Sequence, residues 1–288
     1  MFADMLKYLA KCMLRIALIT AVALEVIGSS FIDHFMFHPD YAGKTYTEST
    51  KGFVDIGTNG VKIAAVVLGP KRGKKAIIRC HGNAENMYHS ISVLRTLAEK
   101  GYTVAAVDYP GYGLSDGKPD EDGCYRVVHR LYDWLLKERG FEPKDIIVDG
   151  FSIGSGPATE LASKCDVGAL VLEAPFLSAP RVVTRTRLLF VDPFPNLKYI
   201  KKVKCPVLIM HGTDDRVVPF WQGRELSTLA KSAASVRFVP VDGADHGEIA
   251  GMIGIDKYRE MVSGACDVKP DGAKADAKAG KEGSEKGR

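Results

Sequence analysis

Short apolar runs alternate with amphipathic segments of helical length through most of this chain. Runs that are apolar almost throughout are typical of strands buried on both faces of a parallel sheet. Six such runs are predicted strands, at residues 76–80, 103–107, 146–149, 169–172, 207–210 and 237–241. Helical periodicity separates them, at about residues 87–100, 125–138, 157–164, 222–230 and 256–262. This order predicts an α/β fold with a mostly parallel central sheet and helices on both faces.

Two further β-rich runs, residues 53–56 and 61–68, have a different pattern. They flank Thr58, Asn59 and Gly60, and an Asn-Gly pair favours the tight turn of a two-stranded hairpin. We therefore predict an antiparallel hairpin at the edge of the sheet, turning at Asn59 and Gly60.

The overall composition is that of one ordinary globular domain with short additions. The chain has 288 residues, of which 46% are hydrophobic and 26% are charged, so it can bury a sizeable core. Its formal charge of +4 is small and spread along the chain, and no nucleic-acid-binding motif is present, so no nucleic-acid partner is predicted. The six cysteines have neither metal-ligand spacing nor the density of a disulfide scaffold.

The N-terminal residues 1–32 are predicted to be a membrane anchor or a signal segment. Residues 13–32 are mostly apolar and approach the roughly 20 residues that cross a bilayer, although Arg15 and Glu25 interrupt them. A cleaved signal peptide and an amphipathic surface helix are the alternatives.

Basic residues lie on only one side of this apolar stretch. Lys7, Lys11 and Arg15 come before it or near its start, and the next basic residue is Lys44. The positive-inside rule therefore places the N-terminus in the cytoplasm and the rest of the chain outside it. We expect a membrane-anchored protein with an extracytoplasmic domain; attachment at the cytoplasmic face and secretion are the alternatives.

A GxSxG motif lies between a predicted strand and a predicted helix, formed by Gly150, Phe151, Ser152, Ile153 and Gly154. In this context a tight turn lifts a serine above the sheet, and glycines on both sides avoid crowding of the backbone. The motif alone occurs by chance in glycine-rich turns. Its position directly after a buried strand makes Ser152 the candidate nucleophile.

A serine nucleophile needs a histidine base and a carboxylate that orients the histidine. Asp214 and Asp215 follow the next-to-last predicted strand, and His246 follows the last one. The chain order serine, aspartate, histidine is typical of such sites on mostly parallel sheets. We therefore predict Ser152 as nucleophile and His246 as base, with one aspartate as the orienting carboxylate and the other as a turn or helix cap.

The loop after the strand at residues 76–80 is placed to complete an oxyanion hole. The backbone N–H groups of Asn83 and Ile153 are the predicted donors, while hydrogen bonding within a turn is the alternative role for His81 and Asn83. A metal site made of His81, His211 and Asp215 has no compact ligand motif. No metal and no cofactor are predicted.

These motifs together resemble the α/β-hydrolase superfamily over about residues 53–262. The segments that carry the resemblance are GFSIG, HGTDDRVVP and GADHG, and more narrowly HGNAEN, DYPGYGLSDG and FMFHPD. The last three are similar to the Bem46-like branch, which includes α/β-hydrolase domain proteins 12, 13 and 17, many of them attached to membranes through the N-terminus. The resemblance implies that the catalytic carboxylate is Asp215, three residues after the HG pair, and that Asp108 is structural.

Two features depart from that branch. Some relatives have glycine at the position of Glu85, a difference that alters the predicted oxyanion loop. The cysteine-rich, palmitoylated N-terminus of its depalmitoylating members is absent apart from Cys12. Protein depalmitoylation is therefore one possible activity among several.

The resemblance and the composition together divide the chain. Residues 33–50 are a predicted linker, residues 51–265 an α/β-hydrolase catalytic domain, and residues 266–288 a disordered tail rich in Lys, Ala, Gly, Asp and Glu. The family implies a cap over the pocket at about residues 176–204, where strands and helices stop alternating. This segment is strongly basic, so it is either a site for anionic substrates or membranes, or a solvated face.

The predicted function is hydrolysis of ester or thioester bonds in a small acyl or lipid-like substrate, through an acyl-enzyme. A serine peptidase with the same triad is the nearest alternative, because the triad does not specify the leaving group. A noncatalytic binding protein of the same fold is the second alternative.

Overall fold

The computed structural model describes residues 11–16, 19–20, 36–43, 45–184 and 192–267. In this part of the chain, eight strands form a single sheet in the order β1-β2-β4-β3-β5-β6-β7-β8. Their bounds are β1 Phe53–Asp55, β2 Ala64–Leu68, β3 Ala76–Cys80, β4 Thr103–Val107, β5 Ile146–Phe151, β6 Ala169–Glu173, β7 Val207–Gly212 and β8 Val236–Val241. Strand β2 runs antiparallel to both of its neighbours, and the other adjacent pairs are parallel. The predicted mostly parallel sheet is confirmed.

Helices connect the strands and cover both faces of the sheet. Their bounds are α1 Pro39–Ala42, α2 Met87–Ile91, α3 Arg95–Glu99, α4 Glu121–Arg139, α5 Ser155–Lys164, α6 Ala179–Thr184, α7 Asn196–Tyr199, α8 Phe220–Leu229, α9 Ile249–Ile253 and α10 Ile255–Ser263. Helices α4, α5 and α8 contribute to the hydrophobic cluster on one face, and α2, α3 and α10 to the cluster on the other. The predicted two-sided covering is confirmed.

The core explains why the central strands are apolar almost throughout. Successive side chains of a strand point to opposite faces, and Ile77 and Ile78 of β3 accordingly belong to different clusters. Ile147 and Val148 of β5 are divided in the same way. All four side chains are fully buried, so both faces of these strands are withdrawn from water.

The predicted hairpin is present at the edge of the sheet. Thr58 and Val61 form an isolated antiparallel bridge, and φ is +56° at Asn59 and +78° at Gly60. Positive φ at both central residues is the conformation that an Asn-Gly pair favours in a two-residue hairpin turn.

Two helices differ from their predicted extents. The predicted helix at 87–100 is divided into α2 and α3 by a 3₁₀ turn, where the Ser92 hydroxyl donates to the His89 carbonyl oxygen at 2.6 Å and competes with the helical hydrogen bonds. Helix α4 begins four residues before its predicted start. The Asp120 side chain caps it by accepting the N–H of Gly123 at 2.6 Å.

Some predicted segments lie outside the described residues. Most of the predicted anchor at 13–32 does, as does the predicted tail beyond residue 267. Within the described residues, no helix has both the length and the apolar character needed to span a bilayer. Of the predicted cap, α6 and α7 are described, and its Phe176 and Phe194 are buried in the same cluster as α5.

Candidate active site

Ser152 lies at a sharp turn between β5 and α5. Its φ is +52°, a left-handed conformation that costs a non-glycine residue about 1–2 kcal/mol. A Cβ at Gly150 would come within 2.5 Å of the Gly154 carbonyl oxygen, and a Cβ at Gly154 within 2.2 Å of the Cys80 carbonyl oxygen. Gly150 is therefore required for the turn to close on itself, and Gly154 for the turn to pack against the end of β3.

A hydrogen-bonded chain joins the three side chains predicted from the motifs. His246 Nε2 lies 2.8 Å from Ser152 Oγ, and His246 Nδ1 lies 2.8 Å from Asp215 Oδ2. When Nδ1 carries the proton and donates to the carboxylate, Nε2 is free to accept the serine proton. The structure thus brings Ser152, Asp215 and His246 together at the carboxyl ends of β5, β7 and β8.

Hydrogen bonds from several directions fix the Asp215 carboxylate. Oδ1 accepts the backbone N–H groups of Val217 at 2.9 Å and Val218 at 2.7 Å. Oδ2 faces His246 and also lies 3.3 Å from His211 Nε2. Burial alone raises the pKa of Asp215, but the hydrogen bonds from His211 and His246 outweigh burial and hold it well below its ordinary value. His211 Nε2 is also 2.9 Å from the Val218 carbonyl oxygen, and its contact with the Asp215 carboxylate was not anticipated from the sequence.

The neighbouring aspartates have other contacts. Asp214 is exposed and accepts a hydrogen bond from the Thr213 hydroxyl at 3.2 Å. Asp245 accepts the backbone N–H of Arg216 at 3.0 Å and that of His246 at 2.8 Å, and it also pairs with the Arg216 guanidinium. These bonds lower the pKa of Asp245 to about 2 and tie the histidine loop to the loop that carries the triad carboxylate.

The predicted oxyanion donors lie on two adjoining segments. The Asn83 side-chain oxygen accepts the N–H of His38 at 2.9 Å and the Tyr112 hydroxyl at 2.7 Å. The protein therefore holds this side-chain oxygen, and the backbone N–H is still the predicted oxyanion donor at this position. Ile153 lies in the first turn after the serine, where N–H groups have no partner within the helix. The oxyanion roles of both N–H groups stay predictions.

His81 has partners inside the protein on both ring nitrogens. Its Nδ1 lies 2.8 Å from the Gly82 carbonyl oxygen and its Nε2 lies 3.5 Å from the Tyr109 nitrogen. Burial lowers the pKa of His81 to about 4, so the imidazole is neutral near pH 7. His211 and Asp215 are in contact, but among the described residues no three His, Cys, Asp or Glu side chains are grouped as a metal site.

A buried ionic network that was not predicted from the sequence lies beside the serine turn. The Arg79 guanidinium donates to Asp149 at 2.9 Å and to Glu173 at 3.1 Å, and Tyr258 lies 3.0 Å from it. All four residues are buried. The signal available in the sequence was a charged residue within or at the end of three otherwise apolar strands, because buried charges in folded proteins are normally paired.

Comparisons with known proteins agree on a family. Residues 75–196 match the family model of the alpha/beta hydrolase fold. The chain is 32% identical over 244 residues to the putative alpha/beta hydrolase L404 of Acanthamoeba polyphaga mimivirus, and the alignment covers 80% of this chain and 92% of that protein. It is 36% identical over 173 residues to alpha/beta hydrolase domain-containing protein 17C of Homo sapiens, covering 59% of this chain and 52% of that protein. The chain thus matches about half the length of this second relative.

A solved structure has the same fold. The Pyrococcus furiosus esterase Pf2001 aligns with a TM-score of 0.63 and 20% sequence identity, over 77% of this chain and 95% of that chain. At this identity, the likeness concerns the fold alone. The match to L404 covers nearly the whole of that relative, and the match to protein 17C confirms the predicted resemblance. The chain belongs to the α/β-hydrolase family, in the branch similar to α/β-hydrolase domain-containing protein 17C.

Proposed function

We propose that the protein is a serine hydrolase that cleaves ester or thioester bonds of a small acyl or lipid-like substrate through an acyl-enzyme. The observation that carries this proposal is the hydrogen-bonded chain from Ser152 through His246 to Asp215, with both nitrogen–oxygen distances at 2.8 Å. A serine hydroxyl is a weak nucleophile until a neighbouring base takes its proton. This arrangement supplies that base and a carboxylate that orients it.

The reaction has two halves with the same proton route. Ser152 Oγ attacks the acyl carbon while its proton passes to His246 Nε2, and the carbonyl oxygen becomes an oxyanion. The oxyanion collapses, the bond to the alcohol or thiol breaks, and the leaving group takes the proton from His246. Water then attacks the acyl-enzyme, with His246 again accepting and returning a proton, and the carboxylic acid is released from Ser152.

Two further groups stabilise charge during these steps. Asp215 holds the tautomer with the proton on His246 Nδ1, and its negative charge stabilises the imidazolium. The backbone N–H groups of Asn83 and Ile153 are the proposed donors to the oxyanion, each contributing about 3 kcal/mol to transition-state stabilisation in comparable sites.

A panel of acyl esters, thioesters and peptide amides tests the proposal. We expect wild-type protein to hydrolyse esters or thioesters, and Ser152→Ala to lose at least about a thousandfold in kcat. The matched control is Ser163→Ala, which removes a hydroxyl from the far part of α5, where it donates to the Glu160 carbonyl oxygen. Preferential turnover of the amides points instead to a peptidase. A folded wild type that turns over nothing favours a noncatalytic binding protein.

We also propose that the N-terminal apolar residues attach the chain to a membrane, with the hydrolase domain outside the cytoplasm. Met13, Leu14, Ile16 and Ile19 are 63–72% exposed, and apolar side chains in that setting favour a lipid surface or interior. The full chain is expected in the membrane fraction after a salt wash, and Ile16→Glu with Ile19→Glu should release it. A wild-type chain that stays in the soluble fraction contradicts the proposal, and a reporter at the C-terminus tests the orientation.

A further inference from the structure

A cavity of about 370 Å³ lies beside the proposed triad, within the range of about 300–1,000 Å³ that is usual for small-molecule sites. Three segments of the active site line it: Glu85 from the oxyanion loop, Phe151 from the serine turn and Gly247 from the histidine loop. The Phe151 ring centroid is 5.2 Å from that of His246. The cavity is therefore adjacent to the reacting groups.

More acidic than basic groups lie in or next to the lining of the cavity. Arg79 and Glu173 line it together with Glu85, and Asp149 lies behind Arg79 at 2.9 Å. These are three carboxyl groups around one guanidinium, and the His89 imidazole also lines the cavity. With that imidazole neutral and the carboxyl groups ionised, two negative charges are in excess. Arg79 is not available to an anion, because its nitrogens already bond Asp149, Glu173 and the Ser90 hydroxyl.

Two of these carboxyl groups have an oxygen without a partner. Glu85 Oε2 is shielded from water and forms no hydrogen bond with any described residue, and the same holds for Oδ1 of the fully buried Asp149. Burial raises the pKa of Glu85, and it raises the pKa of Asp149 to about 6. Buried carboxylates are normally satisfied by donors or by an opposite charge. Arg79 alone does not balance the carboxyl groups around it, so an additional cation in the cavity would compensate the remaining negative charge.

The walls indicate what kind of positive group fits. Phe151, Val93 and Ala250 provide an apolar surface next to the carboxyl groups. A Cβ at Gly82 would come within 2.8 Å of the Phe151 ring and 3.4 Å of Glu85 Oε1, so the aromatic and acidic walls are close neighbours. An alkylammonium ion, with its charge surrounded by methyl or methylene groups, matches both walls better than a bare metal ion does.

We propose that this cavity is a substrate subsite that binds an alkylammonium group carried by the ester or thioester. The acid–apolar pair of Glu85 and Phe151 recognises it, and Glu85 stands where some relatives have glycine. The link to catalysis rests on the proposed serine hydrolase function, whereas binding of the ion itself does not.

Calorimetric titration of the full chain with choline tests the binding. The control ligand is its neutral isostere, in which a tert-butyl group replaces trimethylammonium. We expect choline to bind at least about tenfold more tightly than the isostere. Glu85→Gln should remove most of that difference, while Glu99→Gln, at an exposed position on α3, should keep it. Equal affinity of the wild type for both ligands overturns the proposal without any variant being needed.

Two substrate pairs then show which side of the scissile bond carries the ammonium group. One pair has trimethylammonium or tert-butyl on the thiol of a butyryl thioester, and the other has them at the end of the acyl chain of a p-nitrophenyl ester. In one of the two pairs, we expect kcat/KM of the charged substrate to be at least about ten times that of the neutral substrate. This ratio should fall in Glu85→Gln. Turnover of neutral esters with no preference in either pair rejects the subsite but keeps the serine hydrolase. Choline binding without any ester turnover keeps the subsite but rejects the serine hydrolase.

Discussion

Replacing Asp215 by asparagine tests how the carboxylate controls the histidine. In the wild type, Oδ1 accepts two backbone N–H groups at 2.7 and 2.9 Å, and Oδ2 faces His246 Nδ1 at 2.8 Å and His211 Nε2 at 3.3 Å. Asparagine offers one oxygen and one NH₂ group. We expect the oxygen to keep the two backbone bonds, because turning it away leaves both N–H groups unpaired. The NH₂ group then faces His246.

The expected magnitude follows from the tautomer that this contact imposes. With a donor opposite it, His246 Nδ1 must be the acceptor, so Nε2 carries the proton and cannot take the proton of Ser152. In a serine protease the same exchange lowers kcat about 10⁴-fold, and we expect a loss of about 10³- to 10⁴-fold here. KM should change little, because the lost interaction acts in the transition state.

The assay is steady-state hydrolysis of a p-nitrophenyl ester, with the nitrogen chemical shifts of the His246 ring as a direct report of the tautomer. Asp214→Asn is the matched control, since Asp214 is exposed and bonds the neighbouring Thr213 hydroxyl, and it should retain kcat within about threefold. Two results contradict this role of Asp215: Asp215→Asn keeps kcat within tenfold of the wild type, or Asp214→Asn loses as much activity as Asp215→Asn.

Three further predictions concern stability, each measured by urea unfolding. Gly154→Ala places a Cβ 2.2 Å from a backbone oxygen and should cost at least about 2 kcal/mol, whereas Gly251→Ala meets nothing within 4 Å; similar midpoints contradict the packing argument. Arg79→Leu leaves two buried carboxylates without their positive partner and should lower the free energy of unfolding by about 3–5 kcal/mol. Arg216→Leu removes an exposed guanidinium and should leave the midpoint nearly unchanged. Burial raises the pKa of Asp108 from 3.8 to about 6, so the folded state holds this proton more tightly than the unfolded state. The contribution of Asp108 to the free energy of unfolding is therefore largest below pH 4 and falls by up to about 3 kcal/mol as pH rises through 6. Asp108→Asn should remove that pH dependence, and an unchanged slope argues against a raised pKa.

The sequence predicted the central strands and the meeting of the triad side chains because both depend on short-range patterns. A buried strand is marked by its own apolar residues, and each candidate side chain directly follows such a strand. Parallel strands end at the same edge of the sheet, so Ser152, Asp215 and His246 were expected to converge without knowledge of the strand order. The hairpin turn was also predictable, because it depends on the adjacent residues Asn59 and Gly60.

The buried ionic network depended on information that the pattern does not contain. Arg79 meets Asp149 because β3 and β5 are adjacent and these two residues are paired in register. Glu173 joins them because β6 lies next to β5 on the other side. Strand order and register depend on packing of the whole sheet. A single charged residue in an apolar run therefore does not indicate which residue it pairs with. For the same reason, the cavity beside Glu85 could not be predicted from the sequence.

Covalent modification by a fluorophosphonate shows whether Ser152 is the nucleophile. The full chain is treated with the probe, digested and analysed by mass spectrometry, with Ser152→Ala treated in parallel. We expect one adduct, on Ser152, that is absent from the folded Ser152→Ala variant. A folded wild type that forms no adduct, or one modified at another serine while Ser152 stays free, contradicts it.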